Sequence, residues 1–116
     1  MASLGMKGPY DLTDGEIDGQ VTKTSAGNYA LGREEHETFY VKYVGRSDTD
    51  LNSRLRDWVK RYEKFKYAYA TSPKAAFEKE CHNYHDFGES GKLDNDKHPQ
   101  RPADTDWKCP VCDVFD

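Results

Sequence analysis

Two glycine-framed, β-rich segments on either side of a short charged loop constrain this chain more than any other feature. Asn28-Tyr29-Ala30-Leu31 lies between Gly27 and Gly32, residues 33–37 are strongly polar, and Thr38-Phe39-Tyr40-Val41-Lys42-Tyr43-Val44 runs into Gly45. β-Branched and aromatic residues suit a pleated surface, and a short polar loop between two such segments joins antiparallel neighbours. A hairpin is expected. Asp48-Thr49-Asp50 then offers helix caps, after which Leu51, Leu55, Trp58, Val59 and Tyr62 recur at three- and four-residue spacing, with Arg54, Arg56, Lys60 and Arg61 off that stripe. Residues 64–70 alternate Phe65, Tyr67 and Tyr69 against Lys66 and Ala68, the period of a half-buried strand. Ser72-Pro73 reads as a cap with proline at the first helical position, opening a helix that Gly88 stops.

The expected fold is therefore α/β of the α+β kind: a small three-stranded antiparallel sheet flanked by helices. Residues 25–116 form one domain. Residues 1–24 carry no sustained period and are expected as a flexible extension with room for a short strand or turn.

The core of such a domain is thin. Leu (6), Ile (1), Val (6) and Phe (5) make up 18 of the 116 residues, so an additional staple is expected. No apolar run approaches the roughly 18–20 residues of a membrane span, and no hydrophobic signal segment opens the chain. A net charge of −4 argues against coating nucleic acid by bulk charge. Three cysteines fit a disulfide framework poorly and suggest a reducing, cytoplasmic setting.

Those cysteines also suggest the staple. Cys81 and His85 are four residues apart, about 40° around a helix, and Cys109-x-x-Cys112 has the spacing of a zinc knuckle. Together Cys81, His85, Cys109 and Cys112 make a Cys₃His set for structural Zn²⁺, clasping the tail (residues 89–116) onto the last helix. His98 and His82 are rivals for the fourth position. Glu80 lies about 100° from Cys81, so the clasp can face away from it.

The order Gly27-Asn28-Tyr29, Tyr43-Val44-Gly45, Asp50-Leu51-Asn52-Ser53-Arg54-Leu55 and Ala76-Phe77-Glu78-Lys79-Glu80 resembles the GIY-YIG nuclease superfamily over residues 27–95, roughly 60% of the chain. The resemblance implies a three-stranded sheet with helices. It also implies that Tyr29 and Tyr43 are the two motif tyrosines, Arg54 the catalytic arginine and Glu80 the ligand of one catalytic Mg²⁺ (or Mn²⁺). Arg46 stands where members often carry Lys or Arg, and Asn95 corresponds to an asparagine after the last helix. Asn28 departs from the usual apolar residue, and the connection from Tyr29 to Tyr43 is longer than usual.

These residue types suit phosphodiester hydrolysis. A metal-bound carboxylate, a phenol able to handle a water proton and arginines on the phosphoryl oxygens supply its three needs. The expected function is a DNA endonuclease with DNA as partner and no membrane association. The alternative is a catalytically silent module of the same fold that binds nucleic acid or a protein.

Overall fold

The computed structural model describes residues 5–95, 97–102 and 105–112. In chain order the elements are β1 (Lys7–Asp11), α1 (Asp14–Gln20), β2 (Gly27–Glu35), β3 (Thr38–Ser47), α2 (Leu51–Arg56), β4 (Lys64–Tyr69), α3 (Pro73–Asp86) and the single turn α4 (Glu89–Lys92). The fold is α+β, and its sheet has four strands in the order β1-β4-β2-β3, each neighbouring pair antiparallel.

The fourth strand corrects the expected three. It comes from the segment expected to be a flexible extension: β1 pairs with β4, and α1 buries Ile17 completely while Leu12 and Val21 flank it in the core. Thr13 caps α1 by accepting from the Glu16 N–H at 3.2 Å, which fixes where the helix starts. Ile17→Ala is expected to cost about 2–5 kcal/mol, the usual range for a fully buried aliphatic. Urea unfolding measures this, and a cost near zero would mean that α1 contributes nothing to the core.

The hairpin forms with longer strands than expected. β2 runs to Glu35, and the turn contracts to His36 and Glu37, both left-handed (φ 51° and 66°), the backbone a two-residue hairpin requires. Tyr29 pairs across to Gly45 and Leu31 to Tyr43, with a bulge between Leu31 and Gly32. Alternation sends Tyr29, Leu31 and Tyr43 to the face packed by α1 and α2, and Ala30 and Val44 to the face packed by α3. Because β3 is an edge strand, groups from the two faces can meet around it.

α2 is shorter than its periodicity suggests. Asp50 caps it, but it ends at Arg56, and Trp58, Val59 and Tyr62 lie in turns where Lys60 has φ 73°. By contrast α3 matches the expectation: Ser72 accepts from the Ala75 N–H at 3.0 Å, Pro73 occupies the first turn, and Gly88 (φ 105°) follows the helix. No helix among the described residues is long and apolar enough to cross a membrane.

Candidate functional site

Five of the six residues singled out as catalytic come together at the β3 edge. Tyr29 (β2), Tyr43 and Arg46 (β3), Arg54 (α2) and Glu80 (α3) line one cleft of about 270 Å³. The two phenol rings stack with centroids 6.4 Å apart and planes 18° from parallel. Gly45 makes this possible: a Cβ there would come within 2.4 Å of the Tyr29 ring and hydroxyl.

Tyr29 is only 2% exposed, and its hydroxyl accepts the Trp58 indole N–H at 2.9 Å. Burial, reinforced by the neighbouring Tyr43, raises its phenol above the ordinary value, while the Trp58 N–H opposes the shift. The phenol is thus harder to ionise, which does not suit Tyr29 to taking up a water proton. A tyrosine raised in the folded state contributes stability that is fully present below its unfolded value near pH 10 and lost as pH climbs through the native one. Alkaline titration followed by phenolate absorbance should show Tyr29→Phe removing one phenol from the last fraction to ionise. Loss from the first fraction would contradict the burial.

Glu80 is buried on α3, and Arg46 Nη1 donates to its Oε1 at 2.5 Å. Arg46 is also held by Asp48 at 2.9 Å and by the Gln100 carbonyl at 2.7 Å, with its guanidinium 5.2 Å from the Phe77 ring centroid. Burial pushes the Glu80 carboxyl up even though Arg46 opposes the shift. Arg54 remains at the rim, its side chain 53% exposed and its nearest carboxylate, Asp57, 3.8 Å away. Asn95 is placed differently. Its amide accepts from the Val44 N–H at 3.0 Å and donates to the Val44 carbonyl at 2.8 Å, pinning the tail to the exposed edge of β3. It lines a second, adjoining hollow, which it shares with Tyr43 and Glu80 but not with Tyr29, Arg46 or Arg54.

Close to that hollow, His85, His98, Cys109 and Cys112 bring their donor atoms within 4.8 Å of one another, a group that can hold a metal ion. This group differs from the ligand set expected from the sequence at one position, containing His98 and not Cys81. Cys81 is fully buried, and burial raises its thiol, which hydrogen-bonds Cys109. Burial also acts against ionising Cys109, yet the backbone N–H groups of Val111 and Cys112, with His98 and Cys81, lower it.

Both imidazoles are oriented by their second nitrogen. His85 Nδ1 meets Glu89 Oε2 at 2.5 Å, and His98 Nδ1 lies 2.8 Å from the Pro99 carbonyl. Each is thereby set to present Nε2. His98 Nε2 lies 3.4 Å from Cys112 Sγ, and His85 Nε2 is buried, its imidazole also hydrogen-bonding Cys109. His82 lies outside this group.

One member of the cluster, His98, also reaches the lining of the hollow beside the cleft. His98, Pro99 and Gln100 line the adjoining hollow together with Glu80. Helical angle alone pointed the other way because the tail's path was not legible. Trp58, Asp48 and Gln100 are site residues that sequence reasoning did not identify; Trp58 had been assigned to a helical core stripe.

Comparison with protein-family models, with curated proteins and with solved structures found no match to this chain.

Proposed function

We propose that the chain hydrolyses phosphodiester bonds in DNA with one divalent metal, in the manner of the GIY-YIG nucleases it resembles in sequence. The observation that carries this reading is the convergence of two phenols, two guanidiniums and one buried carboxylate, from four elements, on one cleft.

Arg54, at the open rim, is suited to draw in a phosphate, and Arg46 to neutralise the phosphoryl oxygens. Tyr43, less buried than Tyr29, orients the attacking water. Tyr29 stays protonated and, with its oxygen engaged by Trp58, serves as a hydrogen-bond donor beside the reacting oxygens. As water bonds to phosphorus, the bond to the leaving oxygen breaks, and the proton lost by the water balances the one gained by that oxygen.

Glu80 is the residue to hold Mg²⁺ or Mn²⁺, which when bound supplies Lewis-acid charge to the phosphoryl group. The donor set fits, since Mg²⁺ commonly takes one or two carboxylates and completes its shell with waters and substrate phosphate. To do so Glu80 must exchange its Arg46 partner.

That same ion pair favours a second reading. A carboxylate already satisfied by Arg46 suits a silent module that binds nucleic acid without cutting it. Incubating the purified chain with linear and branched DNA plus Mg²⁺ or Mn²⁺ separates the two. Cleavage abolished by Arg54→Ala supports the hydrolase. Affinity that falls with salt, without turnover, supports the module.

For the metal cluster the natural occupant is Zn²⁺. Two thiolates and two imidazoles are a common closed tetrahedral set, whose bond lengths place neighbouring donors about 3.5 Å apart. The 3.4 Å between Cys112 Sγ and His98 Nε2 matches that spacing, and the buried His85 Nε2 is a donor such an ion would engage. Its role is structural, holding the tail against α3.

A further inference from the structure

The hollow beside the cleft has a volume of about 490 Å³, within the usual range for small-molecule sites, and more room than a phosphate or a metal ion alone would use. One wall is aromatic. Tyr43 and Trp58 have ring centroids 4.5 Å apart, Trp58 and Tyr62 6.0 Å, and all three rings are partly buried. This wall exists because α2 stops at Arg56. The chain then turns through Lys60, whose left-handed φ of 73° costs a non-glycine residue about 1–2 kcal/mol, and Trp58 and Tyr62 line the hollow.

We infer that this hollow is a stacking subsite for an unpaired DNA base next to the scissile phosphate, so that the substrate is DNA with a frayed, branched or single-stranded segment. The inference rests on the phosphodiester reading above, because the hollow and the cleft share Tyr43, Trp58, Glu80 and Gln100. A strand whose phosphate reaches Arg54 and Glu80 therefore carries its neighbouring base to the rings.

The charge pattern favours a base over a second phosphate. Glu80 and Asp94 line the hollow alongside Lys97 and His98, a mixture without the cationic excess of a phosphate site that accommodates a neutral, flat, polar-edged ring. Arg61, whose guanidinium lies 5.8 Å from the Trp58 ring centroid, adds positive charge near the same ring. An intact duplex keeps its base faces stacked on one another, so only an unpaired base can offer its face to Trp58 or Tyr62.

The test uses the full, metal-replete chain and three fluorescent DNA probes: a fork with unpaired thymines, the same fork with abasic residues in their place, and a blunt duplex. Anisotropy without added Mg²⁺ is expected to show the thymine fork binding roughly 5- to 150-fold more tightly than the abasic fork. Tyr62→Leu should bring that ratio close to 1 while leaving the salt dependence unchanged. Tyr62→Phe, which keeps the ring and loses only the hydroxyl donated to Asp94, should preserve the ratio.

Equal affinity for the two forks, or discrimination that survives Tyr62→Leu, would overturn the subsite. Discrimination without cleavage in Mg²⁺ would leave the subsite standing and remove the hydrolase. Cleavage without discrimination would do the reverse, and binding to none of the probes would remove both.

Discussion

Cys109→Ser is expected to abolish stoichiometric zinc binding, whereas Cys81→Ala is expected to retain one zinc per chain. The two variants separate the set seen in the structure (His85, His98, Cys109, Cys112) from the one that spacing alone suggests, in which Cys81 takes the place of His98. The difference should be large, because structural zinc sites of this type bind with apparent free energies of about 10–16 kcal/mol near neutral pH. Loss of the metal should nevertheless unfold the molecule only locally. The main core (Leu12, Ile17, Val21, Tyr29, Leu31, Leu51, Leu55, Phe65, Tyr67) contains no tail residue, while Cys109 packs with Phe77 and Cys81 in a separate cluster.

Hydrogen exchange of the chelated protein is therefore expected to show protection lost over residues 97–102 and 105–112 and kept in β2. Glu89→Gln weakens the hold on His85 Nδ1 and should cost about 10- to 100-fold in zinc affinity, the usual effect of losing such an orienting partner. Metal-free protein with a fully protected tail would overturn the clasp. So would a Cys81→Ala variant that loses its zinc.

What the sequence revealed, and what it hid, follows from the range of the interactions. The hairpin was legible because strand propensity and bounding glycines act locally, and α3 because Ser72-Pro73 and Gly88 mark its ends within a few residues. The first strand and helix were not, although Thr13-Asp14-Gly15-Glu16 has the spacing of a capping box. Gly15 and Gly19 weaken the helix signal, and Ile17 is the only aliphatic residue of α1, so its burial depends on partners distant in sequence. The same limit explains the early end of α2, since nothing in the 3.6-residue period forbids a helix from continuing to Tyr62. In the candidate site the residue types were legible because motif order carries them. The replacement of Cys81 by His98 depends on the route of a proline-containing tail across the β3 edge, fixed by the Asn95 bonds to Val44 and the Arg46 bond to Gln100. No local pattern encodes that route.

The second large effect is expected at Glu80. Glu80→Gln preserves side-chain volume and an oxygen able to accept from Arg46 Nη1, and Arg46 keeps Asp48 at 2.9 Å and the Gln100 carbonyl at 2.7 Å, so its charge is not stranded. The replacement also removes a carboxylate whose ionised form burial disfavours. Stability should accordingly change by only about 1–2 kcal/mol, in the range of one altered hydrogen bond. Activity is a different matter. An amide is a poor Mg²⁺ ligand, and removing one such electrostatic contribution to a transition state commonly lowers kcat by about 10²–10³-fold. Cleavage should fall at least that far while the melting temperature shifts by no more than about 10 °C and unfolding stays cooperative. A silent binding module requires the opposite pattern: DNA affinity unchanged or higher once a negative charge leaves the cleft, and no turnover to lose. Measuring melting, cleavage and affinity on this one substitution distinguishes a carboxylate that holds a catalytic metal from one that serves only to anchor Arg46. Cleavage that survives Glu80→Gln intact would show that the acid takes no part in the chemistry.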